Sequence, residues 1–300
     1  MKRILWTAIA LFAVLSLSGC CCCCWAGDTT QRAATKISAG PVQRQSRQVD
    51  LDGAARADVT IHFGGGTLQV EPGAGDQLLD GEFIYNLDDL EPLVEYEVDK
   101  ETGALLIRHQ ADSIRWDPTV ETRNEWHLRF GTLVPTEMRF DVGASTGTLD
   151  LGGLRLTHLD ILAGAADMTV RFEEPNPERL ATLDVRSGAA KLSLLGLGNA
   201  NVENLRFDGG LGSYTFDFGG EWQRSTKVSI LAGASQVVLT VPKDIGVRIC
   251  PGDVRHGDYG GLSEQGNCYV NALYEQADIQ LDIDLDLGLG HLEIRQTDGK

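Results

Sequence analysis

Gly143-Ala144-Ser145-Thr146-Gly147 has the spacing of a nucleophile elbow, where a strained strand-to-helix turn exposes a serine for acyl transfer. That chemistry needs a helix after the turn, whose N-terminus helps to hold the oxyanion. Here Leu149-Asp150-Leu151 follows with strand alternation, and the equivalent Gly188-Ala189-Ala190 has no serine, so the motif reads as a corner. Asp278, Gln280, Asp282, Asp284 and Asp286 alternate with Ile279, Leu281, Ile283, Leu285 and Leu287. Such a row of carboxylates suits calcium by chemistry, but a flat strand does not wrap an ion, and an acidic face also deters edge pairing. Asp141, Asp150, Asp160, Asp184 and Arg206 stand at alternating positions of successive segments. They would serve a carbohydrate-active enzyme if they converged in a groove; the simpler reading is a set of surface ladders. His62, His127 and His291 fall in or beside strands, and no two histidines take an H-x-x-x-H spacing. Trp116, Trp126 and Trp222 are suited to stacking on cell-wall sugars or, more simply, to packing under loops and at the end of a stack. No P-loop or dinucleotide fingerprint is present, and neither a cofactor nor a metal is expected.

The N-terminus says where these residues work. Lys2 and Arg3 precede an apolar run from Ile4 to Leu17, too short to span a bilayer but suited to a secretory signal. The run ends in Leu17-Ser18-Gly19-Cys20, which resembles the lipobox of bacterial lipoproteins. That resemblance implies cleavage before Cys20 and acylation of its thiol, with the membrane as a partner through the lipid anchor. The other reading is an uncleaved helix, since Cys21, Cys22, Cys23, Cys24 and Trp25 prolong the apolar stretch. Either way the bulk of the chain is exported. In an oxidising compartment Cys250 and Cys268, which flank a Gly-rich loop, are expected to form a disulfide worth about 3 kcal/mol. A metal site using His256 lacks ligands at a recognised spacing. The formal charge of −17 argues against nucleic acid, which demands clustered Lys and Arg.

Strands punctuated by glycine must position everything else. Met138-Arg139-Phe140-Asp141-Val142 runs into Gly143-Ala144, Leu159-Asp160-Ile161 into Gly164-Ala165, and Leu183-Asp184-Val185 into Gly188-Ala189. Leu205-Arg206-Phe207 then meets Gly209-Gly210, and Val228-Ser229-Ile230 meets Gly233-Ala234; a second alternating segment follows each corner. From Gly143 to Gly233 the corners recur about every 21 to 24 residues, as one rung of a solenoid requires. Glycine suits crowded corners and also permits positive φ. The expected fold is all-β, a β-solenoid-like stack of short strands with Gly-Ala corners, with a β-sandwich of hairpins as the alternative.

Further segments resemble the toast-rack family of bacterial β domains, which includes the C-terminal domains of LiaF-like proteins. The matching residues include Phe63-Gly64-Gly65-Gly66-Thr67-Leu68, Leu78-Leu79-Asp80-Gly81-Glu82-Phe83, Trp126-His127-Leu128 and Leu149-Asp150-Leu151-Gly152-Gly153-Leu154. Val241-Pro242-Lys243-Asp244-Ile245-Gly246-Val247 continues the match. The resemblance implies a glycine-cornered stack without enzymatic activity and, from LiaF-like members, modulation of envelope-stress signalling. LiaF-like proteins carry transmembrane helices where this chain has a lipobox, so a kinase partner reached through such helices does not carry over. The expected organisation is a signal peptide at 1–19, a lipidated N-terminus and flexible tether at 20–48, an N-terminal toast-rack-like region at 49–115 and a C-terminal repeat region at 116–300. The expected role is a non-enzymatic envelope lipoprotein that binds or scaffolds an envelope protein or cell-wall component. The alternative is a carbohydrate-active enzyme on a β-helix. The oligomeric state is left open.

Overall fold

The computed structural model describes residues 38–111, 119–252 and 257–298. Cys20 to Cys24, Trp116 and His256 lie outside them. The chain begins with β1 (Gln43–Val49), β2 (Arg56–Pro72), β3 (Leu79–Tyr85), β4 (Pro92–Asp99), β5 (Thr102–His109) and β6 (Asn124–Phe130). Five long strands follow: β7 (Thr136–Asp150), β8 (Leu156–Arg171), β9 (Leu180–Leu195), β10 (Val202–Asp217) and β11 (Thr226–Pro242). Short β12 (Gly246–Pro251), β13 (Gly257–Asp258), β14 (Ser263–Gln265) and β15 (Cys268–Val270) precede a last long strand, β16 (Gln280–Thr297). The one helical element among the described residues is a single 3-10 turn, Asp88–Leu90.

The seven long strands β2, β7, β8, β9, β10, β11 and β16 lie parallel, each paired with the next. None is straight, as burial shows. In β8, Leu159, Ile161 and Ala163 are buried, and then Ala166, Met168 and Val170. The buried parity switches from odd to even across exposed Gly164-Ala165. A side chain reverses face at every residue of a strand, so a parity switch with one core means that the strand has turned a corner around it. Each long strand is therefore one rung with a front half before the glycine and a back half after it. The two halves do not pair with each other, as a hairpin would require; each pairs with the same half of the neighbouring rungs. The result is a β-solenoid, and the sandwich alternative falls.

The interior is filled by columns of equivalent residues. Ile61, Phe140, Ile161, Val185, Phe207, Ile230 and Leu285 stack in register, each no more than 2% exposed. Burying one such side chain contributes about 1.5 to 3 kcal/mol. At the corners Gly64, Gly143, Gly164, Gly188, Gly210, Gly233 and Gly288 form another column. A Cβ on Gly143 would fall 2.1 Å from the Gly64 carbonyl oxygen, and one on Gly210 would fall 2.5 Å from that of Gly188. Close approach, not φ, is what demands glycine at Gly143 and Gly210, whereas a Cβ on Gly164 or Gly288 would stand 3.2 Å from the nearest carbonyl oxygen. Positive φ occurs two to four residues further on in some rungs, as at Gly147 (φ 154°) and Gly212 (φ 157°).

Two boundaries read from the sequence are corrected. The proposed tether to residue 48 includes β1, all seven residues of which pair with β3. Its aperiodic polarity reflects an outermost strand with little core beneath it: Arg44 pairs with Glu82, and the Gln45 amide donates to the Tyr85 hydroxyl at 2.6 Å. The division at 115/116 also dissolves, because β6 from beyond it is inserted between β3 and β2. The front half of β2 pairs with β5 and its back half with β6, so β5 and β6 supply the two sides of one rung. Antiparallel β4, β3 and β1 close that end, while β12, β15 and β14 close the other.

Candidate interaction faces

Because every second side chain of a rung points outward, the front of the stack carries columns of polar residues about 4.8 Å apart. Arg139, Asp160, Asp184 and Arg206 occupy one such column on four successive rungs. Asp160 is held between two guanidinium groups, Arg139 at 3.2 Å and Arg186 at 3.2 Å, and its side chain is only 11% exposed. Asp184 meets Arg206 at 3.7 Å. Asp160, Asp184, Arg186 and Arg206 border a shallow depression of about 390 Å³. Each carboxylate is engaged by an arginine of another rung, which joins neighbouring rungs instead of forming an acid–base couple. Asp150 does not belong to this column: it lies in a back half and pairs with Arg171 at 3.1 Å. Asp141 is two residues nearer the corner than Arg139 and faces His62 at 3.5 Å.

The other sequence candidates separate in the same way. Ser145 is buried, directed inward with its hydroxyl toward the Met168 sulfur at 3.6 Å, so the G-x-S-x-G motif exposes no nucleophile. Asp282 forms an ion pair with Arg248 at 2.9 Å and accepts from the Tyr274 hydroxyl at 2.8 Å, whereas Asp284 and Asp286 face solvent. Asp278 precedes the strand. Among the described residues no three His, Cys, Asp or Glu side chains converge as a metal site would require. Trp126 is fully buried between Phe63 and Phe83, and Trp222 packs against the core while its indole N–H donates to the Phe218 carbonyl at 3.0 Å. His127 and His291 are surface residues of the back face. Cys250 and Cys268 are joined in a disulfide that ties β12 to β15.

One titratable residue escaped the sequence reading. His109 ends β5, is 6% exposed, and packs 4.8 Å from the Trp126 ring. Its Nδ1–H donates to the Leu90 carbonyl at 3.2 Å, and Nε2 accepts from the Gly64 N–H at 3.4 Å, which assigns the neutral ring with its proton on Nδ1. Burial pushes its pKa below the usual histidine value, and the Leu90 hydrogen bond opposes this only in part. With the folded pKa depressed, the unfolded chain binds the extra proton first. Stability is therefore expected to fall as pH drops through about 6.5, the value for a free histidine, toward the lower folded value. Urea midpoints measured from pH 7.5 to 5 should show this decline, and a His109→Gln variant should flatten it. An unchanged slope in that variant would refute the assignment. Only alternation hinted at this residue: it sits at an inward position of Ala104-Leu105-Leu106-Ile107-Arg108-His109.

Among the described residues no helix is long and apolar enough to cross a membrane. A glycine-cornered, end-capped parallel β-solenoid is thus the class that these elements define. The family model for the N-terminal domain of toast_rack, DUF2154, matches residues 38–195 and 176–240, and the chain belongs to this family. Three solved structures are similar over most of their length. A candidate cell adhesion protein from Clostridium sporogenes is 22% identical, over 85% of this chain and 100% of the other, with a TM-score of 0.46. A candidate adhesin from Bacteroides fragilis is 10% identical, over 86% and 100%, with a TM-score of 0.40. A candidate lipid binding protein from Parabacteroides distasonis is 9% identical, over 87% and 99%, with a TM-score of 0.28. No curated protein matches the chain.

Proposed function

We propose that this chain is a non-enzymatic lipoprotein of the bacterial cell envelope, held to a membrane through Cys20, whose rigid stack is a binding or scaffolding surface. The observation that carries this reading is the use made of the outward charges. Arg139, Asp160, Arg186, Asp184 and Arg206 connect one rung to the next, leaving a broad, regular surface of fixed spacing. A surface of that kind suits an extended partner better than a small substrate, which binds in a concave and mostly apolar pocket. Membership of the toast-rack family and the lipobox-like Leu17-Ser18-Gly19-Cys20 support an envelope setting. By resemblance to LiaF-like proteins, the role that follows is modulation of responses to envelope stress.

Among the described residues, the depression beside Asp160 and Asp184 is the feature that favours a carbohydrate-active enzyme. The arginines engaging both carboxylates argue against that use, since a glycosidase needs one of its pair free to donate a proton. The expected result for Cys20→Ser is release of the protein from the membrane fraction into the soluble fraction of the envelope. Unaltered fractionation of this variant would remove the anchor from the proposal.

A further inference from the structure

The outermost residue of each corner follows the column glycine, and these residues also stack in register. From β7 to β16 they are Ala144, Ala165, Ala189, Leu211, Ala234 and Leu289, all exposed. Leu211 is 60% and Leu289 67% exposed, and they stand two rungs apart with Ala234 as a notch between them. An exposed leucine needs no explanation alone, but two leucines with an alanine between them, at the end of a row of alanines, make a toothed apolar edge. The residue three positions earlier in each rung forms the front flank: Arg186, Asp208, Leu231 and Asp286 on β9, β10, β11 and β16. Lys191, Ser213, Gln236 and His291 form the back flank.

We propose that this ridge is a homotypic seam, occupied by a second copy of the chain running antiparallel about a two-fold axis between β10 and β11. Such an interface is isologous, so its register can be tested against its own side chains. In this register Leu211 seats on Ala234 of the second copy and Leu289 on Ala189, each tooth in a notch. On the front flank Arg186 comes opposite Asp286, and Asp208 opposite Leu231. On the back flank Ser213 meets Gln236 and Lys191 meets His291, and among these positions no acid meets an acid. Moving the axis onto β11 sets Leu211 against Leu289 and Asp208 against Asp286. Moving it onto β10 sets Leu211 against Leu211 and Asp208 against Asp208. Moving it between β9 and β10 seats Leu211 on Ala189 and Leu289 on Ala144, with Arg186 opposite Asp208, but sets Asp141 against Asp286. Of these registers only the one between β10 and β11 combines tooth-in-notch packing with opposite charges and no acid against an acid, and like-charge juxtaposition is what suppresses wrong alignments.

The test uses the full chain in mild detergent, with a photoreactive p-benzoylphenylalanine in place of Leu289. Irradiation is expected to give a covalent dimer whose second attachment point maps to the segment 186–191. Arg186→Asp should lower its yield at least five-fold, as should Asp286→Arg, and the two changes together should restore it. Arg186 also holds Asp160 within its own copy, so thermal melting of the variants reports whether the fold is intact, and Arg186→Gln, which removes the charge without setting a carboxylate beside Asp160, should lower the yield as well. A chain that stays monomeric on irradiation, a cross-link to any other segment, or a yield indifferent to the charge reversals would each overturn the seam.

Discussion

Alanine at Gly143 is expected to destabilise the protein by more than about 3 kcal/mol, whereas alanine at Gly164, the next glycine of the same column, should cost less than about 1 kcal/mol. The chemical change is identical and the two sites occupy equivalent corners. They differ in how closely the previous rung approaches. A Cβ at Gly143 would stand 2.1 Å from the Gly64 carbonyl oxygen, and one at Gly164 would stand 3.2 Å from that of Gly143. The first gap closes only if the backbone of β2 or β7 moves, which opens a ladder on both sides. The second needs a few tenths of an ångström, and the unfavourable contact is offset by the smaller conformational entropy that alanine brings to the unfolded chain. Urea denaturation of the two variants measures the contrast directly. Equal losses would mean that rung spacing does not control the corners.

The second large effect is expected at Asn176, which is completely buried. Its side-chain amide donates to the carbonyls of Leu156 at 2.9 Å and Ala200 at 3.2 Å. Its Oδ1 accepts from the N–H groups of Leu156 at 3.1 Å and Glu178 at 3.1 Å. One side chain thus braces the return turns that lead into β8, β9 and β10. Asn176→Ala strips these partners inside a region that water does not reach, at about 1 to 3 kcal/mol for each group left unsatisfied. A total loss of about 4 kcal/mol is expected, set against less than about 0.5 kcal/mol for Asn204→Ala, whose amide makes one surface contact to the Ala181 carbonyl at 3.3 Å. Calorimetric melting of both variants tests this, and a mild effect at Asn176 would show that the turns hold by packing alone.

These two residues also mark how far the sequence could be read. The period of the glycines, and the alternation on either side of them, announce rungs without any structure, because both follow from local chain geometry. The reason for glycine was only half legible: Gly143 answers to a carbonyl of β2, a contact between residues far apart in sequence. Pro175-Asn176-Pro177 reads as a breaker from its prolines, but the bracing role of Asn176 depends on turns 20 and 24 residues away. β1 was illegible for a related reason. Strand patterning records a core on one side, and Gln43–Val49 meets polar neighbours where that core has run out. The front-face candidates were partly recovered: Asp160, Asp184 and Arg206 share a column, while the parity switch at the corner carries Asp150 to the opposite face.

The register offsets carry a lesson about ancestry. Successive long strands are displaced by 21 residues from Met138 to Leu159, 24 from Leu159 to Leu183, 22 from Leu183 to Leu205 and 23 from Leu205 to Val228, yet every displacement restores the same column. From Val228 to Ile283 the displacement is 55, and the extra chain makes β12 to β15 without disturbing the glycine stack. Only the return turns absorb these differences in length. A gene coding for such a chain can lengthen or shorten its product by copying or deleting one segment, changing the reach of the molecule in steps of about 4.8 Å while each surviving layer keeps its neighbours' shape.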